Sequence, residues 1–227
     1  MKKIILFLLL FISWQVRAQD SKIQAEAAVI AQRDDKLILI LSSDNLKGLP
    51  GNIDAKAIRS RGFSFILMTE KMNKTGNAGI GGGIGFMSQN FHTNSFIADT
   101  TSNESYTSFQ KIPDSLNYSI NKFSLNFITA TIEIRLRSNE NKNGNRFKLS
   151  AGVTGGFLLQ SHTKYSDNNG KLKTYDIDHL NKFQYGICAR LGYSNYNIAG
   201  YYSLVDVFKK GDGVEVTPFS IGIALTF

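Results

Sequence analysis

The C-terminal twelve residues alternate with almost no exception: Phe219, Ile221, Ile223, Leu225 and Phe227 take one parity, Ser220, Gly222, Ala224 and Thr226 the other. A two-residue period sends successive side chains to opposite faces of an extended chain, so this segment is a strand with one apolar face. The period returns in Phe147 to Gln160, where Phe147, Leu149, Ala151, Val153, Gly155, Phe157 and Leu159 oppose Lys148, Ser150, Gly152, Thr154, Gly156, Leu158 and Gln160. It returns again in Phe183 to Ser194 and in Tyr196 to Leu204. A chain patterned in this way folds as sheet, and something must cover the apolar face.

Four noisier strands precede these, at about 36–42, 59–70, 76–92 and 118–137. In the last of them the apolar parity changes: Phe123, Leu125 and Phe127 are odd, whereas Ile128, Ala130, Ile132, Ile134 and Leu136 are even. A β-bulge near Phe127 is expected to return both sets to one apolar face. The total is eight strands whose connections alternate long and short, the arrangement of outer-membrane barrels with long outer loops and short periplasmic turns.

The N-terminus supports export. Lys2 and Lys3 precede an apolar run from Ile4 to Ile12, and Ala18 follows Val16 at the expected cut, which reads as a signal peptide over 1–18. The run is too short for a membrane span of about 20 residues. Residues 19–35 read as a loose periplasmic lead-in and 36–227 as the barrel domain. Cys188 is the one cysteine, which excludes an internal disulfide. Formal charge is +8, and loss of Lys2, Lys3 and Arg17 leaves about +5 on the exported chain. No basic run or nucleic-acid-reading motif accompanies that excess, so nucleic acid is a poor partner; the excess reads as generic, with anionic surface lipid as the alternative.

Alternation alone fits a soluble barrel with its apolar face inward as well as a membrane barrel with that face outward. The second face decides between them: it holds mainly Gly, Ala, Ser, Thr, Asn and Gln, where a solvated exterior would carry Lys and Glu. Spacing agrees. Phe147 and Phe157 lie ten residues apart on one face, as do Phe183 and Tyr193; tilted near 40°, ten residues rise about 25 Å, the height of a lipid-facing band edged by aromatic girdles. The girdle is assigned to Phe147, Phe157, Phe183, Tyr193, Tyr196, Phe219 and Phe227. The expected fold is an all-β, eight-stranded antiparallel up-and-down transmembrane β-barrel in the bacterial outer membrane.

The stretch NAGIGGGIGF, Asn77 to Phe86, invites a phosphate-cradle reading, but no glycine triplet has the i, i+2, i+5 spacing of a dinucleotide loop. On the barrel, Gly79, Gly81, Gly83 and Gly85 face the lumen, and they make room for bulkier residues from the opposite wall. Charges in such a lumen must pair or be hydrated. Glu133 and Arg135 share the inward parity, Arg190 faces inward from the sixth strand, and Glu133 is expected to pair with an arginine as a brace. No cofactor is expected. His92, His162 and Ser161 fall near outer strand ends and His179 in a loop, but neighbours Ser161 and His162 point to opposite faces, so neither catalysis nor a metal site is expected.

In order, DKLILILSSDNLKGLPG, SRGFSFILMTEK, NAGIGGGIGF, FKLSAGVTGGFLL, FQYGICARLGY, YYSLVDVFKKG and FSIGIALTF resemble the PorT-like family of outer-membrane β-barrels of Bacteroidetes-type bacteria. That resemblance implies a small closed barrel, with some members serving the type IX secretion machinery. It directs the functional expectation to an envelope assembly, secretion-accessory or surface-interaction role without an open pore, whose partners are outer-membrane lipid and envelope or secretion-machinery proteins. Either loops 43–58, 93–117 and 163–179 are expected to meet a partner, or the periplasmic end is expected to meet an envelope machine. A lipid-modifying enzyme and a small channel are the alternatives.

Overall fold

The computed structural model describes residues 36–100, 106–168, 170–175 and 177–227. The expected signal peptide and lead-in lie outside the described residues. Eleven strands follow in order: β1 (Leu37–Lys47), β2 (Arg61–Met72), β3 (Ala78–His92), β4 (Ser95–Thr100), β5 (Tyr106–Lys111), β6 (Tyr118–Arg137), β7 (Phe147–Asp167), β8 (Lys171–Tyr175), β9 (Phe183–Tyr193), β10 (Tyr196–Ser203) and β11 (Thr217–Thr226). Eight of them, β1, β2, β3, β6, β7, β9, β10 and β11, pair antiparallel in that order, and β11 returns to β1 from Ile38↔Thr226 to Lys47↔Thr217. The sheet is therefore a closed eight-stranded barrel without open edges of its own. Three short connections lie at the end that holds Leu37 and Thr226; the tightest joins Tyr193↔Tyr196 through Ser194, whose φ is 54°.

Within the band the alternation keeps one hand. Ile80, Ile84, Ile132, Ile134, Leu149, Val153, Ile187, Ile198, Ile221 and Ile223 all point outward and are exposed, Ile223 by 63%. Phe147, Tyr193, Tyr196 and Phe227 end the band on the short-turn side, with the Phe147 and Tyr193 rings 5.0 Å apart. Phe157 and Phe183, opposite one another, end it on the other side, and Phe219 lies at the same end of β11 beside Tyr202.

The structure corrects the expected bulge. β6 keeps one parity from Asn121 to Arg137, where its odd residues are buried, and its own register shift lies at the far end, between Tyr118 and Ile120. The irregularity sits across from it: Asn126 pairs with Gln160 but Phe127 with Leu158, so Leu159 of β7 is the extra residue. Phe123, Leu125 and Phe127 consequently point inward, at 2%, 2% and 1% exposure.

The physical reason is a change of surroundings at constant parity. Phe86 pairs with Ile128, both outward, and the next pair, Met87 and Phe127, faces inward. Below this height the outside is hydrocarbon, so outward positions are apolar and inward ones small or polar. Above it the outside is water, and the pattern inverts: Ser88, Asn90, Asn126 and Ser124 face out while Phe91, Phe123 and Leu125 face in. What reads in sequence as a phase slip is the edge of the membrane. The strands run on past that edge, β7 to Asp167, where it takes β8 as a further partner. The loop 93–117 also contains the β4–β5 hairpin, paired from Ser95↔Lys111 to Thr100↔Tyr106.

Candidate functional site

The lumen is filled in layers. Nearest the short turns is an ionic layer. Arg135 Nε donates to Glu133 Oε1 at 2.5 Å and Arg190 Nη2 to the same oxygen at 2.6 Å, so Glu133 bridges two strands. Arg135 also donates to Glu70, and Arg137 Nη2 reaches Glu70 Oε2 at 2.6 Å. All five side chains are 6% exposed or less. The structure thus brings together Glu133, Arg135 and Arg190, and adds Glu70 and Arg137. Glu70 shares the inward parity of Ile66 and Met68 on β2, a signal weakened by the irregular start of that strand.

Glycine makes this layer possible. Glu70 pairs across Gly81 with Glu133, and Gly152 flanks Glu133 on the other side. A Cβ on Gly81 would lie 2.8 Å from Arg135 Nε, in the space the guanidinium crosses toward Glu70. At Gly83 a Cβ would lie 2.4 Å from the Leu67 carbonyl oxygen, so close strand approach demands glycine there.

Next comes a polar layer. Asp44, 1% exposed, accepts from Ser42 (2.8 Å), Ser220 (2.7 Å) and the Asn90 backbone N–H (2.8 Å). Thr131 and Thr154 share a hydrogen bond of 2.9 Å, and Thr154 donates to Cys188 Sγ at 3.5 Å. A cavity of about 60 Å³ remains here, bordered by Asp44, Gln89, Cys188, Arg190 and Tyr201. Among the described residues neither polar atom of the Gln89 side chain has a protein partner.

The third layer is apolar and lies beyond the membrane edge. Phe91 and Phe123 stack at 4.8 Å, and Phe109 of β5 packs on Phe123 and Phe208 at 6.1 and 6.0 Å. Leu46, Met87, Phe127, Leu180, Val207 and Val216 complete this core. The hairpin is held over it by Thr107 N–H donating to the Asp212 carbonyl and Val214 N–H to that of Thr107. Asp206, which sits on the apolar parity of the seventh barrel strand, lies past the end of β10 and accepts from Thr217 at 2.6 Å.

The remaining polar candidates do not converge. Ser161 points inward and accepts from the Ile177 N–H at 3.0 Å, while His162 points outward in register with Ser124. His179 Nδ1 lies 2.8 Å from Thr107 Oγ1. Among the described residues no group of three His, Cys, Asp or Glu side chains could hold a metal ion.

Residues 42–209 match the family described as outer membrane protein beta-barrel domain. No curated protein matches the sequence. Among solved structures, the attachment invasion locus protein Ail of Yersinia pestis, in complex with the heparin analogue sucrose octasulfate, is 14% identical, with 84% of this chain and 96% of that one covered at a TM-score of 0.33. A Rhodopseudomonas blastica porin triple mutant is 12% identical, with 84% of this chain and 100% of that one covered at a TM-score of 0.18.

Proposed function

Since the chain belongs to the outer membrane protein beta-barrel domain family and resides in the bacterial outer membrane, we propose that it is a non-conducting barrel that engages a partner at the cell surface. The observation that carries this reading is the filling of the lumen, ionic below and apolar above, under a hairpin folded over the mouth. Eight-stranded barrels have an interior just wide enough for side chains. Solute passage would require both layers to open.

The partner surface is the ribbon that β7 and β8 raise beyond the membrane edge. Every residue of β8 is exposed, and β8 ends the sheet order with an open edge. An open edge offers unpaired N–H and C=O groups to an added strand. The PorT-like resemblance sets this surface in envelope assembly or as an accessory to type IX secretion. Two measurements test the reading. In planar bilayers the purified protein is expected to give no stable conductance steps; large steady steps would make it a channel. In intact cells a photo-crosslinker at Leu172 of β8 is expected to yield a discrete adduct and one at Lys142 none; the reverse would move the partner to the periplasmic end.

A further inference from the structure

Above the membrane edge the outer face of four adjacent strands carries basic side chains in register. His92 of β3 stands opposite Lys122 of β6, Lys122 opposite Lys164 of β7, and Lys164 opposite Lys173 of β8. Like charges directly opposite one another destabilise a sheet, so the row costs the fold stability rather than adding to it. Among the described residues no carboxylate forms an ion pair with any of the four. Lys122 donates instead to Asn90 Oδ1 at 2.7 Å. Burial, then the charges of Lys122, Arg59 and Lys56, hold the His92 imidazole below its ordinary value. Burial, then Lys164 and Lys173, do the same to the Lys122 ammonium.

One rung nearer the membrane, Asn90, Ser124, His162 and Tyr175 are also in register. Of these, Ser124 is closed off at 1% exposure with its hydroxyl donated to Asn90 Oδ1, and the His162 Nδ1 is shut from solvent; the rung presents the exposed Tyr175 ring, over which Lys173 Nζ sits at 4.5 Å. An exposed ring beside ammonium groups suits the face of a sugar.

Height narrows the partner. Lys122 lies six residues beyond Ile128, where the unbroken outward apolar run of β6 ends (128 − 122 = 6), which is a rise of about 15 Å on a tilted strand. Glycerophospholipid headgroups extend only about 5–7 Å past the hydrocarbon. Phosphates carried on a saccharide headgroup stand higher. We propose that the His92–Lys122–Lys164–Lys173 row and the Tyr175 ring beneath it bind the phosphorylated saccharide headgroup of an outer-leaflet glycolipid, phosphates on the row and a sugar face against the ring. The proposal rests on that end of the barrel being the cell-surface end, as in the function proposed above.

The full chain in a mild non-ionic detergent tests it, with binding of purified lipopolysaccharide read by thermal shift and titration. Loss of three lysines near an anionic surface is expected to weaken binding about a hundredfold in the Lys122→Gln/Lys164→Gln/Lys173→Gln variant. The lipid-free variant should melt no lower than the wild type, because the repulsion is relieved. Lys164→Gln alone, a milder change on an exposed strand, should weaken binding about fivefold. Equal binding by wild type and variants would overturn the proposal. So would equal binding of lipopolysaccharide stripped of phosphate, or equal shifts from phosphatidylglycerol or inorganic phosphate at matched phosphate concentration. These readouts involve neither conductance nor a protein partner, so failure here is distinct from failure of the surface-partner reading.

Discussion

Replacing Glu133 with glutamine is expected to cost about 3–5 kcal/mol of barrel stability, the loss typical when one partner of a buried ion pair is removed. Its Oε1 is the shared acceptor for Arg135 and Arg190, and all three side chains are shut from solvent. Without the carboxylate, two guanidinium groups face one another in the lumen with Glu70 as the remaining acid. The network is not in itself a large source of stability, because desolvating five charged groups offsets most of their attraction. Its value is positional: Glu133 ties β6 to β9 across β7, and Glu70 ties β2 to β6 across β3. Two further variants separate these effects. Glu133→Gln/Arg190→Gln should recover part of the loss, since it removes the orphaned charge. Glu140→Gln, whose pairing with Arg146 is long at 3.6 Å and more exposed, should cost less than about 1 kcal/mol. Denaturant unfolding in detergent micelles measures all three. If Glu133→Gln and Glu140→Gln fall equally, the lumen network is not a brace.

The second large effect is expected at Phe123. Phe123→Ala should cost about 3–5 kcal/mol, because its ring sits between Phe91 and Phe109 in a closed core and its loss leaves a cavity. Ile132→Ala should cost a small fraction of that. Ile132 is 62% exposed on the lipid face, and fluid acyl chains fill the space a lost side chain leaves. The comparison separates the two orientations of β6. Were Phe123 on the lipid face, as a parity-restoring bulge in β6 would place it, the two variants would behave alike.

That residue also shows how far the sequence could be read. In β7, β9, β10 and β11 the outward and inward sets were legible, because hydrocarbon on one side and a crowded lumen on the other give two sharply different faces. In β6 the same rule misplaced Phe123, Leu125 and Phe127. It assumed that the outside is lipid along the whole strand, while the strand crosses into water near Phe127. The pairing of Phe86 with Ile128 and of Met87 with Phe127 sets the change at one height on two strands, but that register is not available from either strand alone. The β4–β5 hairpin escaped for a related reason. In YTSFQK only Thr107 and Phe109 are buried, a repeat too short to stand out from a loop. Of the ionic layer, Glu133, Arg135 and Arg190 could be singled out because they lie on cleanly alternating stretches, 128–136 and 183–193. Glu70 could not, because its strand mixes polar and apolar residues on both parities. The glycines read as spacers, while what they make room for, the Arg135 guanidinium reaching Glu70, depends on three strands at once.

The most direct test of the central claim is lipid-borne quenching along β6. Single cysteines at 123, 125, 128, 130, 131, 132, 133 and 134, in a Cys188→Ser background and each carrying a small fluorophore, are reconstituted in bilayers of brominated lipid. Strong quenching is expected at 128, 130, 132 and 134 and little at 131 and 133, with none at 123 and 125. Quenching at 123 and 125, or at the odd positions below them, would contradict the account.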